Sequence, residues 1–183
     1  EPLYGPAHII TSTIEHEAVI ETLNYLEKER GYSVTRVPVD KYGLVNPKDV
    51  EDALREDTIL VTIMYANNEI GTIQPIEQIG KICRKKKVLF HTDACQAGGV
   101  LDLNIENLNV DMMTLNGSKI YGPKGIGMLY KKKSVKLVPL IHGGGQEFGM
   151  RSGTVNVAFI AGFAEALRLS QKERFQESKR LIE

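Results

Sequence analysis

Two lysines stand out because of the residues around them. The stretch TLNGSKIYGPKGIGMLY, residues 114–130, places Lys119 and Lys124 among four glycines and a proline. Such a loop could cradle a phosphate, carry a cofactor on a lysine amine, or turn the chain between two elements. The other residues with chemical potential must decide between these three uses.

The phosphate-binding motifs fit this stretch poorly. A Walker loop requires a Ser or Thr directly after its lysine and a helix beyond it, but Ile follows Lys119 and Gly follows Lys124. The GxGxxG fingerprint of dinucleotide-binding proteins is absent from the sequence. The three glycines of HGGGQE, residues 142–147, lack a helix start at the required spacing. A nucleotide site is therefore disfavoured.

A covalent cofactor fits Lys119 better. A lysine that forms a Schiff base must be held at one point, and Lys119 lies between an apolar run and the Gly-Pro corner at 122–123. Pyridoxal phosphate (PLP) also needs a carboxylate for its ring nitrogen, which Asp93 could supply. Gln96 could donate to the phenolic oxygen of the ring. The flat imidazole of His16 could stack on the ring and relay protons.

The surrounding pattern predicts the elements that position these residues. Strands are predicted at 8–12, 32–39, 58–66, 88–94, 110–117 and 125–132, and helices at 17–30, 46–57, 76–87 and from about 155 to the end. Thr13 is a candidate cap for the first helix, and Asn46 with Pro47 is a candidate start for the second. Alternating strands and helices predict a three-layer α/β/α fold with a mainly parallel sheet, of unspecified strand order. Functional residues gather at strand carboxyl ends in such folds, where ANNEIGT, TDACQA and NGSK lie.

Five motifs, in this order, carry a resemblance to a known family. STIEH, NNEIGTIQPI, HTDACQA, GSKIYGPKGIG and HGGGQEFGMRSGT occur along essentially the whole chain. Together they resemble the cysteine desulfurases of the NifS/IscS type, which are class V, fold-type I, PLP-dependent enzymes. Any single motif would be moderate support, whereas five in order are strong.

The resemblance implies a role for each matching residue. Lys119 matches the lysine that binds PLP covalently, Asp93 the partner of the pyridine nitrogen, and Gln96 the residue facing the phenolic oxygen. His16 matches the stacking and proton-transferring histidine, and Asn68 the asparagine near the substrate and ring oxygen. A further match concerns Thr154, which resembles the threonine that reaches the phosphate of the neighbouring subunit's cofactor. That role implies a homodimer.

The chain departs from the family pattern near the lysine and at both ends. The family often has SGHK where this chain has NGSK, so Asn116 and Ser118 stand where a phosphate-binding serine and histidine are common. An amide and a hydroxyl are also donors, so both residues are retained as phosphate candidates. The family's upstream Gly-Ala-Thr-Glu segment has no counterpart here, nor does its small C-terminal domain with the cysteine that accepts sulfur. We therefore expect the isolated chain to be inactive.

The resemblance implies conversion of L-cysteine to L-alanine, with persulfide sulfur passed to iron–sulfur cluster or tRNA thiolation pathways. A sulfur-acceptor or scaffold protein is an expected type of partner. One alternative is another class V enzyme, such as a selenocysteine lyase or an aminotransferase. A second alternative is a non-catalytic interaction module. We expect residues 1–155 to form a partial PLP-binding domain, and 156–183 a long helix towards the small domain.

Composition adds mainly exclusions. The chain of 183 residues has a formal net charge of zero, so it offers no general attraction to nucleic acid or acidic membranes. No apolar run approaches the ~20 residues that span a bilayer. Two cysteines, Cys83 and Cys95, form neither a disulfide framework nor a metal motif. We expect no metal site and a reducing, cytoplasmic setting, and we expect Cys95 to be an inert packing thiol.

Overall fold

One mixed sheet forms the centre of the protein. The computed structural model describes Gly5 and residues 7–183. Its strands are β1 His8–Ser12, β2 Ser33–Val37, β3 Thr58–Thr62, β4 Leu89–Asp93, β5 Met112–Asn116 and β6 Gly127–Lys131. They are ordered β2-β1-β3-β4-β5-β6; the first five are parallel, and β6 is antiparallel to β5. The predicted mainly parallel α/β fold is confirmed.

The helices confirm most of the predicted starts and stops. They are α1 Glu17–Arg30, α2 Pro47–Ala53, α3 Ile76–Lys86, α4 Ile105–Leu108 and α5 Val157–Ile182, with 3-10 turns at Gly117–Ile120 and Glu147–Gly149. Asn46 caps α2 with Pro47 in its first turn, as predicted. The prediction of Thr13 as the cap of α1 is wrong, because His16 takes that position. The four-residue α4 escaped prediction because it is too short for helical periodicity.

The direction of the strand connections reverses between β1 and β3. The chain passes from β1 to β2 on one side, then returns across β1 to β3 and continues to β4 and β5. Since crossovers between parallel strands are right-handed, α1 lies on one face of the sheet and α2, α3 and α4 lie on the other. Ligands bind at such reversals in open α/β sheets, beyond the strand carboxyl ends. The gap between β1 and β3 is therefore a favoured place for a site.

The hydrophobic core lies between the sheet and the helix α3. Ile10, Val61 and Phe90 are fully buried on three adjacent strands, and Ile79 and Cys83 of α3 belong to the same cluster. Burying each large apolar side chain contributes about 1.5–3 kcal/mol. This packing fixes the strand register, and thereby the positions of the residues that follow the strands.

The long helix α5 is anchored to the turn after β4. Phe163 is buried in the core cluster, and the side-chain amide of Gln171 donates to the carbonyls of Gly98 and Leu101, each at 2.9 Å. Arg174 pairs with Asp102 at 3.3 Å. The division at residues 155 and 156 stays a prediction. Among the described residues, no helix is both long enough and apolar enough to cross a membrane.

Candidate active site

The carboxyl ends of three adjacent strands bring the predicted site segments together. Asp93 ends β4 and Asn116 ends β5. The chain after β3 stays attached to β4, because the amides of Ile63 and Tyr65 donate to the carbonyls of His91 and Asp93 at 3.2 and 2.8 Å. The NNEIG segment therefore starts beside the end of β4.

The loop that carries Lys119 is a tight 3-10 turn closed by glycines. Oδ1 of Asn116 caps it by accepting from the amide and the hydroxyl of Ser118, both at 2.9 Å. The amide of Gly122 donates to the carbonyl of Gly117 at 2.9 Å. A Cβ at Gly117 would lie 2.9 Å from the carbonyl oxygen of Pro123, so only glycine permits this closure.

Lys119 is exposed on this turn. Within residues 7–183, its amine makes no hydrogen bond or ion pair with a side chain or backbone group. Its position leaves the amine available for a covalent or ionic contact with a ligand.

The turn with Gln96 packs directly on the Lys119 turn. Oδ1 of Asp93 accepts from the amide of Cys95 at 2.9 Å, which starts this turn. Ile120 lies against it, since its Cγ2 would be 3.0 Å from a Cβ on Gly98. Asp93, Gln96 and Lys119 therefore lie on two short segments in mutual contact.

The pKa of the Cys95 thiol shows which charges act between these two segments. The pKa of Cys95 is raised to about 12, first by burial and then by the hydrogen bond and the charge of Asp93, while the charge of Lys119 lowers it in part. The charges of Asp93 and Lys119 thus both act on the Cys95 thiol, with opposite effects on its pKa. Cys95 stays protonated there at neutral pH, which agrees with the expectation of an inert thiol.

Two residues before Asp93, the half-buried His91 forms a bridge within the sheet. Its Nδ1 lies 2.8 Å from Thr62 Oγ1, and its Nε2 lies 2.9 Å from Thr114 Oγ1. Burial lowers the pKa of His91, and the charge of Asp93 raises it in part. His91 is therefore a neutral support beneath the site, and both of its nitrogens already have partners.

His16 stands at the other side of the strand reversal, as the cap of α1. Its Nδ1 accepts from the amide of Ala18 at 3.1 Å, and its side chain is exposed. Because Nδ1 accepts, the neutral ring carries its proton on Nε2. The cap therefore fixes the ring direction and leaves an Nε2–H to meet a ligand.

The remaining predicted residues occupy separate places. Asn68 and Gln96 line one open depression of about 470 Å³. Asn116 and Ser118 line another of about 330 Å³, together with Lys124. Asp93, His16 and Lys119 line neither depression.

Thr154 lies in the segment between β6 and α5. It is exposed and follows a turn in which the hydroxyl of Ser152 donates to the carbonyl of Gly144 at 2.7 Å. No hydrogen bond within the described part of the chain joins Thr154 to the strand ends. Among the residues that the structure describes, no group of three or more His, Cys, Asp or Glu side chains is placed to hold a metal ion.

Sequence reasoning missed two residues that the structure places at the centre of the reversal. Glu15 and Asn67 are 5% and 8% exposed, and each directly precedes a predicted site residue, His16 or Asn68. Their polar side chains turn inward and join the two loops. The polar pairs Glu15-His16 and Asn67-Asn68 were the available signal, because in each pair the first side chain is buried and the second is exposed.

The similarity to known proteins agrees with this geometry. The model of the family "Aminotransferase class-V" matches residues 3–183. The chain belongs to the aminotransferase class-V family. A cysteine desulfurase IscS from Clostridium botulinum is 48% identical over 174 residues, which are 95% of this chain and 44% of that protein. The chain thus spans less than half the length of this relative.

Solved structures extend the similarity to three dimensions. A NifS-like protein superimposes with a TM-score of 0.91 at 46% identity, over 95% of this chain and 48% of the other. A second structure, described as SspA in complex with cysteine, has a TM-score of 0.86 and 46% identity, covering 89% and 47% of the two chains. The fold of this class V member is therefore that of the NifS-like proteins.

Proposed function

We propose that this chain is the cofactor-binding part of a PLP-dependent cysteine desulfurase, which converts L-cysteine to L-alanine and passes sulfur on as a persulfide. The observation that carries the proposal is that Asp93, Gln96 and the exposed Lys119 lie on two segments in mutual contact. The similarity to IscS and to a cysteine-bound structure supports the substrate.

The chemical groups present suit PLP. The Lys119 amine would hold the cofactor covalently, and the Asp93 carboxylate would keep its ring nitrogen protonated. Gln96 and Asn68 would donate to oxygens of the ring and the substrate. The cofactor, when bound, supplies an electron sink for negative charge at the substrate's α-carbon.

The phosphate contacts fall to the turn beside Lys119. The hydroxyl of Ser118 donates to Asn116 Oδ1, so its lone pairs face outward unless the hydroxyl rotates. The side-chain amide of Asn116 has no acceptor among the described residues. Asn116 is therefore the readier donor, and Ser118 the supporting residue. Thr154 would reach the phosphate of a second subunit, which makes a homodimer part of the proposal.

Proton transfer is assigned to Lys119 and His16. Lys119 has no competing partner among the described residues, so its amine, when it is not holding the cofactor, would be able to take a proton from the substrate's α-carbon and return one. The His16 ring is held by its cap with Nε2–H directed outward, which suits donation of a proton to substrate or product. The two residues lie on opposite sides of the strand reversal.

The persulfide is not assigned to either cysteine of this chain. Burial raises the pKa of both the Cys83 and the Cys95 thiol to about 12, and only a thiolate attacks sulfur efficiently. The sulfur-accepting cysteine would lie elsewhere in the full protein. A reducing, cytoplasmic location and a protein that receives sulfur for iron–sulfur cluster or tRNA thiolation pathways complete the proposal.

Borohydride trapping tests the proposal. The purified chain is incubated with PLP, reduced, digested and mapped by mass spectrometry. We expect a pyridoxyl group on Lys119, lost in Lys119→Ala and retained in the matched control Lys124→Ala. Asp93→Ala should lower the yield about tenfold, the equivalent of one charge-assisted hydrogen bond.

The distribution of the label decides the outcome. An adduct mainly on Lys124, or one spread over surface lysines, would overturn the assignment of Lys119. An unchanged yield with Asp93→Ala would remove Asp93 from the cofactor site.

A further inference from the structure

Glu15 has a buried carboxyl group whose two oxygens lie in different environments. Oε1 accepts from the hydroxyl of Ser12 at 2.5 Å and from the amide of Met64 at 2.9 Å. Oε2 is buried and has no hydrogen-bond partner within the described residues. Ser12 ends β1, whereas Met64 follows β3, so Glu15 spans the strand reversal.

Asn67 makes the reciprocal connection. Its side-chain amide donates to the carbonyl of Ile14 at 2.9 Å, and its Oδ1 accepts from the amides of Glu69 and Ile70 at 2.8 and 3.0 Å. The loop after β1 thus contacts the loop after β3 through Glu15, and the loop after β3 contacts the loop after β1 through Asn67. Because Glu15 precedes His16 and Asn67 precedes Asn68, the two connections fix the backbone directly before both predicted site residues.

The charge around Glu15 favours a neutral carboxyl group. No lysine, arginine or histidine of the described residues forms an ion pair with it. The charged group that acts on it is Asp93, another acid, at the end of β4; the groups of the β1 and β3 segments that contact it, Ser12 and Met64, are uncharged donors. A buried carboxylate with one unpartnered oxygen and an acid nearby is costly.

We propose that Glu15 is a positioning residue that carries a proton on Oε2 and uses Oε1 to hold together the turn before His16 and the loop before Asn68. The roles of His16 and Asn68 rest on the proposed function, whereas the proton and the contact with Met64 do not. Burial also raises the pKa of Glu15 to about 7, more than the bonds from Ser12 and Met64 lower it.

With a proton on Glu15, Asp93 would be the one of the two acids that carries a negative charge. If both carboxyl groups were ionised, each would raise the cost of the other's charge. A neutral Glu15 allows Asp93 to remain the ionised partner for a cationic ring nitrogen. Glu15 would therefore influence a bound cofactor through Asp93 and through loop geometry.

Two substitutions separate the carboxyl group's shape from its proton. Glu15→Gln keeps a carbonyl oxygen for Ser12 and Met64, whereas Glu15→Ala removes it. Exposed Glu17, in the first turn of α1, provides the matched controls Glu17→Gln and Glu17→Ala. All variants are compared without cofactor by amide hydrogen exchange at Met64 and by infrared spectroscopy of carboxylic acid groups below and above pH 7.

We expect the Met64 amide to exchange at least about tenfold faster in Glu15→Ala, the equivalent of one lost hydrogen bond. Glu15→Gln should restore protection to within about threefold of the parent chain. The parent should show a carboxylic acid band below pH 7 that is missing from Glu15→Gln and present in Glu17→Gln.

An infrared spectrum unchanged by Glu15→Gln would overturn the protonated state, and unaltered Met64 exchange in both Glu15 variants would overturn the positioning role. Trapping PLP on Lys119 then links the two sites: Glu15→Ala should lower the yield and Glu15→Gln should retain it. Absence of trapping in the parent chain would count against the proposed function alone, because the exchange and infrared results decide the inference separately.

Discussion

Nε2 of His91 lies 2.9 Å from the hydroxyl oxygen of Thr114, the residue that pairs with Asp93 across β4 and β5. The other ring nitrogen meets Thr62 on β3, so one imidazole joins three strands directly below the candidate site. His8 repeats the arrangement between Thr35 and Thr58, at 2.7 and 2.8 Å. Two neutral histidines thus connect the parallel strands through side chains as well as backbone.

Removing the His91 ring should destabilise the sheet. His91→Ala leaves the hydroxyls of Thr62 and Thr114 without their partner and opens a cavity, at an expected cost of about 2–5 kcal/mol in the free energy of unfolding. Urea denaturation measures this loss. The exposed His142 provides the control, since His142→Ala should change stability by less than about 0.5 kcal/mol. Equal effects of the two substitutions would contradict the bridging role.

Glu15 should give the unfolding free energy a distinctive pH dependence. Its pKa is raised in the folded state from 4.5 to about 7, so the folded chain binds a proton more tightly than the unfolded chain. The corresponding stability is present in full below pH 4.5 and is lost as pH rises through about 7, by up to ~3 kcal/mol. Glu15→Gln should remove this loss in denaturation series between about pH 4 and 8.

The buried His8 and the half-buried His91 act in the opposite direction. Burial lowers the pKa of both His8 and His91 from 6.5, so their stabilising contribution is present above that pH and is lost as pH falls. The difference between Glu15→Gln and the parent isolates the glutamate from the histidines. A difference that does not vary with pH would show that Glu15 has the same pKa in the folded and unfolded chain.

A glycine in α3 should tolerate no side chain. A Cβ at Gly80 would lie 2.4 Å from the carbonyl oxygen of Leu108, so Gly80→Ala forces α3 and α4 apart. We expect a net loss of about 1–3 kcal/mol, despite alanine's higher helix propensity. At Gly99 the nearest atom, Cγ2 of Ile120, would lie at 3.8 Å, so Gly99→Ala should be nearly neutral by thermal denaturation. The reverse order would contradict the described α3–α4 contact.

Neither cysteine should react readily at neutral pH. The pKa of each thiol is raised to about 12, chiefly by burial, so the thiolate is a minute fraction. A disulfide reagent should label the folded chain at least about 100-fold more slowly than the denatured chain. Cys95→Ala should also retain PLP trapping on Lys119. Rapid labelling of Cys95 in the folded chain would mean that its thiol is exposed or ionised.

Local sequence signals predicted the helix ends well where a residue type has a strong preference for one cap position. Asn46 and Pro47 marked the start of α2, and Gly31, with a positive φ of 71°, ends α1 as expected. Thr13 failed as a cap because Glu15 draws the turn inward and delays the helix until His16 can cap it. Thr has the higher intrinsic preference for the cap position. The start of α1 instead follows the buried contact of Glu15 with the amide of Met64, 49 residues away.

The sequence alone determined the α/β class, the family resemblance and the candidate residues Lys119, Asp93, Gln96 and His16. These follow from residue type and from order along the chain, which any folded arrangement must respect. Only the tertiary structure decided the strand order, the contact between the turns of Gln96 and Lys119, and the inward direction of Glu15 and Asn67. Those depend on which strands are neighbours, and strand pairing is set by core packing over long sequence separations. A buried acid with an unpartnered oxygen can be recognised only once its surroundings are assembled.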